Sequence, residues 1–99
     1  MHKKLRRFSY HQLQVMQVFL NAAQRVVTLS ELEKKTKLKG KSLGGIISSL
    51  SRTQVNGVSL IEPVGKDKET TGLRWMLNSQ LIDIPRTKKQ IIKLLQYFK

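Results

Sequence analysis

Two hydrophobic periods alternate along this chain. Leu13, Met16, Leu20 and Ala23 fall on one helical face, with Val15, Phe19 and Ala22 beside it. Ser9 and Gln12 have the spacing of a capping box, in which each side chain satisfies a free amide of the first turn. Phe8, just before the cap, is placed to pack on Leu13 as a staple. These signals predict a first helix from Ser9 to about Gln24. The β-branched run RVVT predicts a brief strand over residues 25–28. Thr28 and Glu31 repeat the capping spacing, so a second helix starts there, with Leu29 and Leu32 inward. Thr36–Lys39 forms a tight turn plugged by Leu38. Leu43, Ile46, Ile47 and Leu50 then mark a third helix, from about residue 40 to Arg52 or Thr53.

The second half changes period. Asn56-Gly57 is a turn signal, and VSLIEPV after it reads as a strand that Pro63 confines to a sheet edge or to its own end. GKDKETTG, between Gly65 and Gly72, is polar and reads as a loop. LRWML follows as a strand with Leu73, Trp75 and Leu77 on one face, so the two runs form a hairpin with a long exposed tip. TKKQIIKLLQYFK closes the chain as a fourth helix, with Ile91, Ile92, Leu94, Leu95 and Phe98 apolar. The fold class expected is mainly α with a small antiparallel β-sheet, α+β. Its organisation is a basic arm (1–8) without apolar period, a domain (9–85) and a C-terminal helix (86–99).

Charge changes the picture most. Lys and Arg number 19 against 6 Asp and Glu, a formal +13 on 99 residues. A positive field of that size attracts polyanions, nucleic acid first. The chain has no cysteine, hence no disulfide framework and no thiolate zinc site. It has no membrane-length apolar run, and no apolar segment follows the basic start as in a signal peptide. The expected setting is cytoplasmic, nucleoid or nuclear, without membrane partners.

The element order and the run TLSELEKKTKLKGKSLGGIISSLSR resemble the winged helix-turn-helix superfamily over residues 9–77. GVSLIEPVG followed by TGLRWML is similar to the wing. The resemblance implies a third helix lying in a DNA major groove with its N-terminal residues toward base edges, a wing touching the backbone, and an additional helix at the C-terminus.

The third helix has an unusual composition for that task. Opposite its apolar stripe stand Lys39, Gly40, Lys41, Ser42, Gly44, Gly45, Ser48, Ser49 and Arg52. Small residues let a backbone approach a surface closely, yet they lack the forks that read bases. Only Lys41 and Arg52 can approach that role. The expected mode is therefore strong electrostatic anchoring with modest sequence readout. Lys37, with Lys34 and Lys35, extends the basic border. Lys66, Lys68 and Arg74 would meet phosphates from the wing, although Asp67 and Glu69 nearly neutralise that loop. Arg6 and Arg7, in the arm, are candidates for a minor groove. Trp75 reads as a core anchor beneath the wing.

No catalytic constellation accompanies these residues. His2 and His11 are the only histidines, and neither has metal-site spacing with acids. GKSLGG contains a GKS but lacks the earlier glycine and the preceding strand of a phosphate-binding loop. Neither enzyme activity, metal nor cofactor is expected. The leading expectation is a DNA-binding protein or domain, such as a transcription regulator or the targeting part of a larger protein. The alternatives are a protein-interaction module with an acidic partner, for which the Gly-Ser face would be the docking surface, and RNA binding through the same basic face. The fourth helix carries more apolar surface than a small body needs. Either the first helix absorbs it, or it forms a homodimer seam spacing two third helices.

Overall fold

The computed structural model describes residues 5–66 and 73–98. Ser9 caps helix α1 (Tyr10–Asn21) with the full capping box: its hydroxyl accepts from the Gln12 amide, and Gln12 Oε1 accepts from the Ser9 N–H at 2.7 Å. The helix stops three residues before the expected Gln24, because the chain must turn back to enter the sheet. Ala22 is already extended, and a 3-10 turn (Ala23–Arg25) follows with Gln24 and Arg25 both at positive φ. Ala23, expected on the apolar stripe, is consequently exposed. The Arg25 guanidinium donates to the Ala22 carbonyl at 3.0 Å and closes this turn.

Strand β1 (Val26–Thr28) leads into α2 (Leu29–Thr36), whose first turn is capped by Thr28 accepting from the Glu31 N–H at 3.1 Å. After a turn over 37–39 comes α3 (Gly40–Arg52). Two short strands, β2 (Gln54–Val55) and β3 (Val58–Ser59), pair antiparallel about Asn56 and Gly57. Both turn residues have positive φ, 55° and 81°, as the tightest hairpin turn requires. The single strand expected from Val58 onward is therefore broken at Leu60. β4 (Ile61–Lys66) begins only after it, and Val58 lies exposed on the small hairpin. A buried Asn78 fixes the break: its side chain donates to the Ser59 carbonyl and its N–H to the Leu60 carbonyl.

β5 (Leu73–Leu77) is the middle strand of a three-stranded antiparallel sheet, order β1-β5-β4. Val27 pairs with Trp75 on one side and Pro63 with Trp75 on the other. Pro63 thus sits on an edge strand, where its missing N–H costs no ladder bond. The last helix, α4 (Ile84–Gln96), starts earlier than the expected 86 or 87. Asp83 caps it, accepting from the Arg86 N–H at 3.1 Å, and Pro85 lies in its first turn. Both are ordinary start signals. Among the described residues, four helices of eight residues or more and a small antiparallel sheet make this an α+β fold. No described helix is long and apolar enough to cross a membrane.

One core joins all the layers. Leu13, Val15, Met16, Val18, Phe19 and Leu20 make α1 its central rod, and Leu32, Leu50, Leu60, Ile61, Leu77 and Ile91 pack around it. Trp75 packs against this cluster, in keeping with an anchor beneath β4 and β5. The arm departs from expectation. Leu5 is only 1% exposed, Phe8 is buried too, and the Phe8 N–H donates to the Leu5 carbonyl. Two apolar residues that merely flank the Arg6-Arg7 pair do not announce a period, so residues 5–8 read as arm although Leu5 and Phe8 belong to the core.

Candidate nucleic-acid interface

The face in question is the outer side of α3. Leu43, Ile47 and Leu50 are buried, and Ile46 packs half-buried against the same core. Burying three such side chains stabilises by roughly 5–9 kcal/mol. Two mid-helix glycines cost roughly 2 kcal/mol relative to alanine, so α3 holds its place in spite of them. At 3.6 residues per turn, Lys41, Gly44, Gly45, Ser48 and Arg52 align along one side of the helix. All five are exposed. The stripe is bare in its middle and cationic at both ends, over about 16 Å at 1.5 Å per residue.

The glycines have no intramolecular purpose. A Cβ built on Gly44 or Gly45 would meet no atom within 4 Å, and neither has the positive φ that demands glycine. Nothing in the fold requires them to be small. The start of α3 is similarly unoptimised. Ser9, Thr28 and Asp83 cap the other three helices through their side chains, whereas Lys39 supplies no side-chain cap to α3. Gly40, at φ 58°, has no side chain to offer. The first-turn amides of α3 therefore lack the acceptor that typically contributes about 1 kcal/mol, and no acidic residue sits in that turn. Lys37 ends α2 at φ 63°, the left-handed position where glycine is usual. Within residues 37–45 local stability is repeatedly forgone, and each departure leaves a cation or open backbone at the surface.

Lys37, Lys39, Gly40, Lys41 and Ser42 are all exposed and cluster about the turn and the first turn of α3. No described residue forms an ion pair with Lys37, Lys39, Lys41 or Arg52. Three expected members stand apart. Ser49 lies toward α1, half-buried: its hydroxyl accepts from Gln12 Nε2 at 2.9 Å and donates to the Ile46 carbonyl at 2.8 Å. It is a packing residue rather than part of the open stripe. Arg6 borders a hollow with Gln90, Lys93, Leu94 and Tyr97, beside α4 and off the α3 stripe. Ser42 sits on the flank of α3, a quarter-turn or more from the stripe's axis. Arg7 is exposed, and Arg74 is exposed on β5 with its guanidinium beside Gly65. Lys66 ends β4, and Lys68 with the remaining loop (67–72) lies outside the described residues.

Gln12 was legible in the sequence as a cap but not as a positioning residue for this face. One end of its amide closes the α1 capping box, and the other holds Ser49 of α3. Gln12→Ala removes both. The expected loss is about 1–2 kcal/mol of unfolding free energy, read by urea denaturation. A loss below a few tenths of a kcal/mol would show that the amide does not join α1 to α3.

Among the described residues no group of three or more His, Cys, Asp or Glu could hold a metal ion. No protein-family model matches the chain, and neither does any curated protein or solved structure.

Proposed function

We propose that this protein is a winged-helix DNA-binding module that lays the outer face of α3 in the major groove. The order of elements supports the reading: α1, β1, α2, a short turn, α3, the small β2–β3 hairpin, then β4 and β5 joined through the 67–72 segment. A single observation carries it, namely the open space beyond Gly44 and Gly45 on a stripe ended by Lys41 and Arg52. The major groove is about 12 Å wide, less than the roughly 16 Å stripe. The bare middle can enter it while the cations at either end meet phosphates on its rims. Free first-turn amides favour an anion for the same reason that helix N-termini do. B-form DNA suits this geometry better than duplex RNA, whose major groove is too deep and narrow for a helix.

Contacts of this kind position more than they specify. Glycine and serine offer no bidentate fork, so sequence preference rests on duplex shape. Lys41→Ala combined with Arg52→Ala is expected to weaken duplex binding at least about a hundredfold, because hydrogen bonds to charged groups are worth about 1.5–3 kcal/mol each. Arg86→Ala combined with Lys93→Ala, two exposed cations on α4, removes the same two charges elsewhere and is expected to change affinity less than about threefold. Fluorescence anisotropy with a labelled duplex distinguishes the cases. Equal losses at the two locations would mean that charge alone, and not α3, governs binding.

A further inference from the structure

Along one side of α1 lie half-buried Tyr10, Gln14 and Gln17 and exposed Asn21, at helical spacing, with exposed His11 beside them, its Nδ1 3.1 Å from Gln14 Oε1. Between Tyr10 and Asn21 the helix contains no Lys, Arg, Asp or Glu, in a chain where 25% of residues are charged. This side borders a groove of about 290 Å³ shared with α4 and lined by Tyr10, Gln14, Gln17, Ile92, Leu95 and Gln96. Packing on α1 absorbs most of the apolar face of α4, since Ile91 is buried and Leu94 and Leu95 are half-buried. Ile92 is not absorbed and stays 50% exposed. At one end of the groove Phe98, 54% exposed, stacks at an angle on Tyr10, with ring centroids 5.6 Å apart. Lys88, Lys89 and Lys93 edge the α4 side, and no acidic residue lines the groove or the hollows adjoining it.

We infer that the α1–α4 groove is a docking site for an amphipathic helix of another protein, apolar on one side and acidic along its flanks. Interface centres are depleted of charge and rich in aromatic side chains, and their rims are polar. The groove has that anatomy, with a rim of one sign. A second copy of this chain would set lysines against lysines, at a cost in specificity and affinity. A duplex needs cations at the centre of its contact, where this groove has amides and Ile92. An acidic helix satisfies both parts: its apolar side covers Ile92 and Leu95, its polar edge meets the glutamine amides, and its carboxylates face the lysines. The site is independent of the DNA reading. Gln12, which holds α3, projects from the opposite side of α1 to Gln14 and Gln17, so both faces can be occupied at once.

The probe is a helical peptide of about 14 residues, which spans the groove at 1.5 Å per residue, with leucines on one side and glutamates on the flanks. A counterpart carries lysine for glutamate. Titrated into the isotope-labelled full chain, the glutamate peptide is expected to shift the side-chain amide signals of Gln14, Gln17 and Gln96, and to bind at least about tenfold more tightly than its counterpart. Ile92→Asp should weaken it about tenfold or more. Lys88→Glu together with Lys89→Glu, both at the surface, should invert the preference between the peptides. Equal binding of the two peptides, or no shift at these amides up to about 1 mM, a free energy of only about 4 kcal/mol, overturns the proposal. So does a dimer of the free chain that Ile92→Asp dissociates, which makes a second copy the occupant, or a duplex that shifts these amides instead.

Discussion

Replacing Gly44 and Gly45 together by alanine is expected to make the protein more stable and its duplex complex weaker. Each substitution removes backbone entropy from the unfolded chain and should stabilise α3 by about 1 kcal/mol. Both Cβ atoms enter open space, so no clash offsets the gain. For a domain of this size about 2 kcal/mol corresponds to roughly 10 °C in Tm, visible by calorimetry. The same two methyl groups stand on the side of the helix proposed to meet DNA. They hold the axis away from the groove floor and lengthen every contact made from Lys41 and Arg52. Affinity should fall about tenfold, or 1.4 kcal/mol. Opposite signs for stability and binding identify a surface kept bare for a partner. A stabilised double variant with unchanged affinity would mean that this side of α3 touches nothing in the complex.

A steep response to salt is the second large effect. If Lys37, Lys39, Lys41, Arg52 and one or two further cations each neutralise a phosphate, the logarithm of affinity falls with that of salt at a slope near −5. Between 50 and 200 mM salt this amounts to about a thousandfold loss. The slope counts contacts, which a formal charge of +13 by itself does not. Lys41→Ala should therefore flatten it by about one. Single-stranded DNA, with fewer condensed counterions per charge, should give a shallower dependence. A slope near zero for duplex would remove phosphate contact from the account of this protein altogether.

Much of this architecture was legible because its signals are local. The Ser9–Gln12 and Thr28–Glu31 spacings announce helix starts through bonds three residues apart. The Leu43–Leu50 stripe announces α3 through its period, and Asn56-Gly57 announces a turn through the φ values it tolerates. Asp83 and Pro85 carried an equally local signal for the start of α4 that the apolar period, beginning later, obscured. The candidate face was readable in outline. Lys41, Gly44, Gly45, Ser48 and Arg52 follow from helical geometry once the buried side is known.

What resisted reading depends on partners far away in the chain. Ser49 looks like a member of the open face until Gln12, 37 residues earlier, takes its hydroxyl. Arg6 looks like part of a basic arm until Leu5 and Phe8 drop into the core and leave it beside α4. The first helix ends early because β1 must reach β5, a demand that local propensity does not express.

The sequence by itself determined the identity and order of the elements, the cationic surplus and the stripe of small residues on the third helix, since each rests on residues within a turn or two of one another. The tertiary structure alone decided which small residues face open space, which cations share a side, and that the fourth helix leaves Ile92 beside an uncharged stripe of the first. Those are matters of what packs against what, and packing between distant segments is resolved only when the core closes.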